Sequence, residues 1–173
     1  MPHRLVVAIG LLLAPLWACA ADPAPEIART KPFGPQAQGT THAVRIIPEA
    51  CARLEGSFSG DAGAPYRLKA LRSAPNCQPR ARFVADAGAA SPSLQQGWIL
   101  NDRIRIPNAG CSSQVAVVSV WRKPVSAQPP RLDAQGRSRI YLEDARQQAG
   151  QHKLAQVPAY AAVVDVQGAA CSQ

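Results

Sequence analysis

The sequence lacks the short motifs on which several large enzyme classes depend. It has no C-x-x-C pair, no G-x-G run, no Gly-Lys pair, no S-x-x-K and no H-x-x-x-H. These absences argue against a thiol–disulfide exchange enzyme, a dinucleotide or P-loop phosphate site, a penicillin-binding active site and a two-histidine metal site. Aromatic residues make up only 5% of the chain, charged residues make up 17%, and no internal repeat is visible. A coiled coil, a highly charged disordered chain and a repeat protein are therefore excluded.

The chain has one long apolar run, which lies close to its N-terminus. Residues 5–16 are apolar, but this stretch is too short to span a bilayer, for which about 20 residues are needed. The small residues Ala18 and Ala20 follow it. This pattern predicts a signal peptide at residues 1–20 and a periplasmic or secreted mature chain. The alternative is a lipobox at residues 16–19, with Cys19 lipidated and the chain anchored to a membrane as a lipoprotein.

Removal of the leader leaves four cysteines, an even number, in a compartment where thiols oxidise. We therefore expect two disulfides. The spacings are too long and irregular for a zinc ribbon, so we expect no metal site. Four cysteines allow three connectivities, and the expected strand pairing favours Cys51–Cys77 and Cys111–Cys171.

The mature chain divides into a linker and one domain. Residues 21–42 are rich in Pro, Ala, Gly and Gln without apolar periodicity, which predicts an extended, mobile linker. Residues 43–173 contain short alternating runs separated by turn residues. We expect strands at residues 44–47, 52–58, 66–70, 80–84, 98–106, 115–121, 137–142 and 160–166. The fold class predicted is all-β, an antiparallel sandwich or barrel of seven or eight strands with at most one short helix, at residues 143–149.

Few residues of the mature chain suggest catalysis. His42 and His152 are expected to be solvated surface histidines in the linker and in a polar loop. A carboxylate pair for glycoside hydrolysis is the remaining enzymatic hypothesis. The candidate acids are Glu49, Glu55, Asp102, Glu143 and Asp144. We expect no cofactor and no catalytic centre.

The clearest positive signal is arginine. The mature chain has fourteen Arg and four Lys, and several of them occupy alternating strand positions. Residues i and i+2 of a strand share a face, so neighbouring strands could line one sheet surface with guanidinium groups that bind phosphate or carboxylate. The candidate binding residues are Arg80, Arg82, Arg103, Arg105, Trp121, Arg122 and Lys123. The alternative is that these positions form an ordinary solvated face.

Three functions follow as hypotheses. The first is an exported bacterial binding or accessory module that engages an acidic envelope component or an acidic protein. The second is a periplasmic hydrolase inhibitor acting through a disulfide-stiffened loop with a tip such as residues 59–65, and the third is the carboxylate-pair hydrolase. We do not expect a nucleic-acid partner, because strand alternation places most of the aromatic side chains in the core.

Overall fold

The computed structural model describes residues 22–77, 79–126, 147, 150–151 and 156–170. Within these residues, the strands form two sheets. The first sheet has the strand order β1 (His42–Ile47), β2 (Ala52–Phe58) and β3 (Tyr66–Arg72). The second sheet has the strand order β4 (Arg82–Phe83), β7 (Ala159–Gln167), β6 (Cys111–Lys123) and β5 (Ile99–Asn108). All neighbouring strands are antiparallel except β4 and β7, which are parallel.

Each sheet contributes one face to a shared core. Leu54 and Phe58 of β2 are fully buried, and they belong to the same cluster as Ile104 of β5 and Val118 of β6. Burial alternates along β2 because successive side chains of a strand point to opposite faces. Burying each large apolar side chain contributes about 1.5–3 kcal/mol, so this two-layer contact is a main source of stability.

The all-β prediction is confirmed for the described residues, which hold seven strands. No backbone ladder among them joins the two sheets, so they form two open sheets and not a closed barrel. The expected strand at 115–121 is longer than predicted and lies between β5 and β7, in the interior of its sheet. The expected strand at 80–84 is reduced to two residues. The expected strand at 137–142 lies outside the described residues.

The helical part of the prediction has a mixed outcome. A four-residue helix, α1 (Ala87–Ala90), was not expected, and it begins where the Asp86 side chain accepts a hydrogen bond from the N–H of Ala89 at 3.1 Å. Single turns of 3₁₀ helix occur at Pro48–Ala50 and Leu94–Gln96. Most of the helix expected at 143–149 lies outside the described residues.

The β2–β3 hairpin depends on a close approach between a glycine and an aromatic ring. Tyr66 lies opposite Phe58, and its ring packs over Gly56, where any β-carbon would overlap the phenol. The phenol is desolvated there, which raises the pKa of Tyr66. Only glycine at position 56 leaves room for this packing.

One predicted disulfide is confirmed. The N–H of Ser73 donates to the carbonyl oxygen of Cys51 at 2.8 Å, and Cys51 is bonded to Cys77 with their Cα atoms 5.8 Å apart. Cys111 is also disulfide-bonded. Its sulfur lies 4.0 Å from the carbonyl oxygen of Ala169. Residue 171 lies outside the described residues, so the pairing Cys111–Cys171 stays a prediction.

The expected linker is packed against the second sheet. We call residues 22–41 the N-terminal segment. Its backbone N–H groups at Glu26 and Ile27 donate to carbonyl oxygens of β5 at 2.9 and 2.8 Å. The N–H of Gln36 donates to the carbonyl oxygen of Pro107 in β5, and the carbonyl oxygen of Gln36 accepts from the N–H of Ala109. Specific hydrogen bonds to β5 and to Ala109 therefore hold a segment whose composition predicted mobility. The division of the chain into leader, linker and domain stays a prediction.

Replacing both Cys51 and Cys77 by alanine should lower the free energy of unfolding by about 3.5 kcal/mol, because the bridge closes a loop across a sequence separation of 26 residues. Urea denaturation of the double variant and the wild type under oxidising conditions measures this. A loss below about 1 kcal/mol would contradict the assignment of a stabilising role to the bridge.

Candidate functional site

Five of the seven predicted binding residues lie on one side of the second sheet, which we call the outer face. It is defined by Arg82, Arg103, Arg105, Trp121 and Lys123, and it points away from the shared core. Phe83, Ile104, Ile106 and Val120 pack into that core, so the residues that alternate with them along each strand point outward.

The cations of the outer face form a spaced set. Arg82 and Lys123 each lie opposite Ala159 of β7, so they occupy one cross-strand row with two strand spacings, about 10 Å, between them. Arg103 lies opposite Ser119, four residues along β6 from Lys123, or about 13 Å. This spacing is too wide for one small anion to reach every cation, but it suits an extended acidic surface.

Two of these cations already have polar partners. Arg103 Nη1 lies 3.2 Å from Asp22 Oδ2, and the Asp22 side chain is 83% exposed. Arg105 Nη2 donates to Gln167 Oε1 at 3.0 Å. Asp165, opposite Val117, is an exposed acid of the same face. The outer face is therefore basic but not uniformly so.

Aromatic side chains border the cations. Trp121 is half-buried, and Trp98 is buried in the same cluster as Ala161. Lys123 Nζ lies 5.9 Å from the centre of the Trp98 ring, within cation–π range. Among the described residues, no carboxylate forms an ion pair with Arg82 or Lys123. These two cations are free to meet a ligand.

The remaining two predicted residues are placed differently. Arg122 lies between Trp121 and Lys123 in sequence, but its side chain points to the opposite face of the sheet. There it forms a two-pronged ion pair with Glu26, at 2.6 and 3.1 Å. This contact lowers the pKa of the Glu26 carboxyl. Arg80 precedes β4, and its backbone N–H donates to the carbonyl oxygen of Glu49 at 2.6 Å.

The most deeply buried charge of the described residues lies on β5. The Asp102 side chain is 1% exposed. Its Oδ2 accepts hydrogen bonds from Arg29 Nη2 at 2.9 Å and Nε at 3.2 Å. Arg45 Nε on β1 lies 3.3 Å from the same oxygen. One carboxylate thus joins the N-terminal segment and both sheets.

Asn101 extends this contact to the neighbouring ion pair. It is buried, its Nδ2 donates to Glu26 Oε2 at 2.7 Å, and its Oδ1 accepts from Arg45 Nη2 at 2.9 Å. We call Glu26, Arg29, Arg45, Asn101, Asp102 and Arg122 the arginine–carboxylate cluster. Its side chains bind one another and thereby join the N-terminal segment to both sheets, which indicates a structural role.

This cluster is not among the predicted site residues. The predicted strand at 98–106 contains Asn101 and Asp102, and β5 runs through them with a register shift between Leu100 and Asp102. The available signal was an Asn-Asp pair inside an apolar run, since a buried carboxylate needs cationic partners. Nothing local to β5 indicated that Arg29, 73 residues away, is one of them.

His42 was expected to be solvated, and the structure corrects this. It is the first residue of β1, its Nε2 lies 2.9 Å from Tyr66 Oη, and its ring centre lies 5.8 Å from those of both Phe33 and Tyr66. Burial lowers the pKa of the imidazole. His152 lies outside the described residues.

The candidate acids for a hydrolase are mostly engaged elsewhere. Asp102 is held by arginines, and Glu55 Oε1 lies 2.8 Å from Arg53 Nη2 on the outward side of β2. Glu49 is exposed in the first 3₁₀ turn. The acids at 143 and 144 lie outside the described residues. Within the described part of the chain, no three His, Cys, Asp or Glu side chains come together as a metal site would require.

The loop at residues 59–65 is exposed and internally bonded. Ser59 Oγ donates to the carbonyl oxygen of Ala64 at 2.5 Å and accepts from the N–H of Asp61 at 3.2 Å. Asp61 Oδ1 accepts from the N–H of Gly63 at 2.9 Å. These bonds stiffen the loop without help from a nearby disulfide.

Comparison with known proteins gives no relative: no family model, no curated protein and no solved structure matches the chain. Among the described residues, none of the helices is long and apolar enough to cross a bilayer.

Changing Asp102 to Asn should lower the free energy of unfolding by about 3–5 kcal/mol, because it removes the charge that balances two partly buried arginines. Asp22→Asn is the matched control, since it breaks an exposed arginine pair worth less than about 1 kcal/mol. Urea denaturation of both variants measures the difference. Equal losses of unfolding free energy in the two variants would show that the buried ion pairs of Asp102 contribute no more than the exposed pair of Asp22.

Stability should fall as the pH drops below the ordinary histidine pKa of 6.5, because His42 has a lower pKa when folded and the unfolded chain binds the proton more readily. His42→Gln should flatten this part of the profile. Denaturation from about pH 8 to about pH 5.5 measures the slope for both proteins. An unchanged slope in the variant would contradict the assignment to His42.

Proposed function

We propose that the protein is an exported, non-catalytic binding module of the bacterial envelope that attracts an acidic partner through its outer face. Four cations on one sheet face, of which only Arg103 forms an ion pair among the described residues, carry the proposal. Bidentate guanidinium groups suit phosphate, sulfate and carboxylate partners. Trp121 adds apolar contact area beside them.

The expected export of the chain, inferred from its sequence, also supports this proposal. The expected leader at residues 1–20 delivers the chain to an oxidising compartment, and the Cys51–Cys77 bridge is compatible with such a location. A binding module in the envelope meets acidic lipids, acidic glycans and acidic proteins. The arrangement of the two sheets as a sandwich would leave each outward surface available to such partners.

A second candidate function is inhibition of a hydrolase by the loop at residues 59–65. The observation that favours it is the internal hydrogen bonding of this exposed loop, since a rigid loop loses less entropy when it binds. The loop offers no cation or large apolar anchor, so the outer face remains the better-supported surface.

Charge reversal by the double change Arg105→Glu and Lys123→Glu should weaken binding to dextran sulfate at low salt at least about tenfold, because both electrostatic attraction and counterion release are lost. Fluorescence anisotropy of labelled dextran sulfate measures the affinity at low and high salt.

The matched control is Arg67→Glu with Lys69→Glu, which changes the net charge equally on exposed positions of β3 in the other sheet. If both double variants weaken binding by the same factor, the attraction depends on the total charge of the protein and the outer face is not the binding surface.

A further inference from the structure

The described chain begins beside the outer face. Asp22, the first described residue, forms its ion pair with Arg103 of that face. The described chain therefore starts at the rim of the outer face, on the side of β5. This position relates the predicted leader and its alternative lipid anchor to the candidate binding surface.

We propose that the acidic partner of the outer face is the anionic phospholipid surface of a membrane, on which the domain lies with this face down. The inference rests on the proposed function and deepens it by naming the partner. The phosphate groups of anionic lipids match the guanidinium and ammonium groups of the face.

The length of chain before Asp22 supports this orientation. Cys19 is the residue that lipidation would modify, and only Ala20 and Ala21 lie between it and Asp22. The three residue steps from Cys19 to Asp22 span at most about 10 Å when extended. An acyl anchor at Cys19 would hold Arg103 close to the headgroups and turn the outer face toward them. Cleavage after Ala20 would instead leave a positive N-terminal amine at the same rim.

The chemistry of the face also fits a bilayer surface. Its cations are spread over distances from about 7 Å, between Arg103 and Arg105, to about 20 Å, between Arg105 and Lys123, which suits many separate headgroups better than a single ligand. Each basic group near an anionic membrane strengthens binding about fivefold. Trp121 is half-buried among these cations, and an amphipathic indole is favoured at the boundary between headgroups and acyl chains.

The other outward sheet surface does not share this geometry. Arg67 and Lys69 are exposed there beside Arg53, but Glu55 forms an ion pair with Arg53 and lies opposite Lys69, and Ser57 is the partner of Arg67. The described chain starts beside the second sheet, so an anchor joined closely to Asp22 would not present this surface to a membrane.

Sedimentation with lipid vesicles tests the proposal on the full mature chain, starting at Ala21 and without a lipid. Vesicles of phosphatidylglycerol with phosphatidylcholine should bind it at low salt at least tenfold more strongly than vesicles of phosphatidylcholine alone. Arg105→Glu with Lys123→Glu should reduce this binding at least tenfold, and Arg67→Glu with Lys69→Glu should change it less than about twofold.

Tryptophan fluorescence reports the orientation independently. The mature chain has only Trp98 and Trp121, of which Trp98 is buried. Acrylamide quenching should fall when phosphatidylglycerol vesicles are added, and Trp121→Phe should remove that change. Circular dichroism and thermal unfolding confirm that each variant is folded before binding is compared.

Failure of the inference and failure of the proposed function give different results. Equal binding to both vesicle types overturns membrane docking, while dextran sulfate binding that still depends on Arg105 and Lys123 keeps the outer face as a site for a soluble acidic partner. If the two charge-reversal variants lose affinity equally, both for vesicles and for dextran sulfate, the membrane inference and the proposed function are both overturned. Unchanged quenching of Trp121 on bound vesicles overturns the orientation.

Discussion

The buried Asp102 carboxylate organises the described structure. It lies on β5 of the second sheet, and it is bound by Arg45 from the first sheet and by Arg29 from the N-terminal segment. A buried charge is tolerated only when it is paired, and removing one partner leaves the other exposed to the full desolvation penalty. The position of Asp102 therefore constrains three parts of the chain that share no local sequence pattern.

A second ion pair separates the cations that hold the fold from those of the outer face. The arginines that sequence analysis grouped together have two separate roles in the structure. Arg122, on the core side of β6, is committed to Glu26 and to holding the N-terminal segment. Lys123, one residue further, is on the other side of the sheet and beside Trp98. The strand alternation separates a structural cation from one that can meet a ligand.

Much of the fold could be predicted from the sequence because it rests on local signals. Alternation in residues 52–58 and 66–70 with a Gly- and Pro-containing turn between them was sufficient to predict the β2–β3 hairpin and the Cys51–Cys77 bridge. The contacts of the N-terminal segment could not be predicted, because its composition resembles a linker and its hydrogen-bond partners on β5 lie more than 70 residues away. Similarly, the grouping of Arg122 with its neighbours followed sequence adjacency, whereas the ladder register assigns residues to faces.

The N-terminal segment has a further consequence for the behaviour of the molecule in solution. β5 is a ten-residue strand at the edge of its sheet. The outer side of an edge strand presents a row of unpaired N–H and C=O groups, with which a strand of another molecule can pair. Backbone bonds from Glu26, Ile27 and Gln36 occupy this row near its two ends. The segment thereby leaves fewer peptide groups of β5 open to a strand of another molecule, and its removal would expose this edge to such pairing.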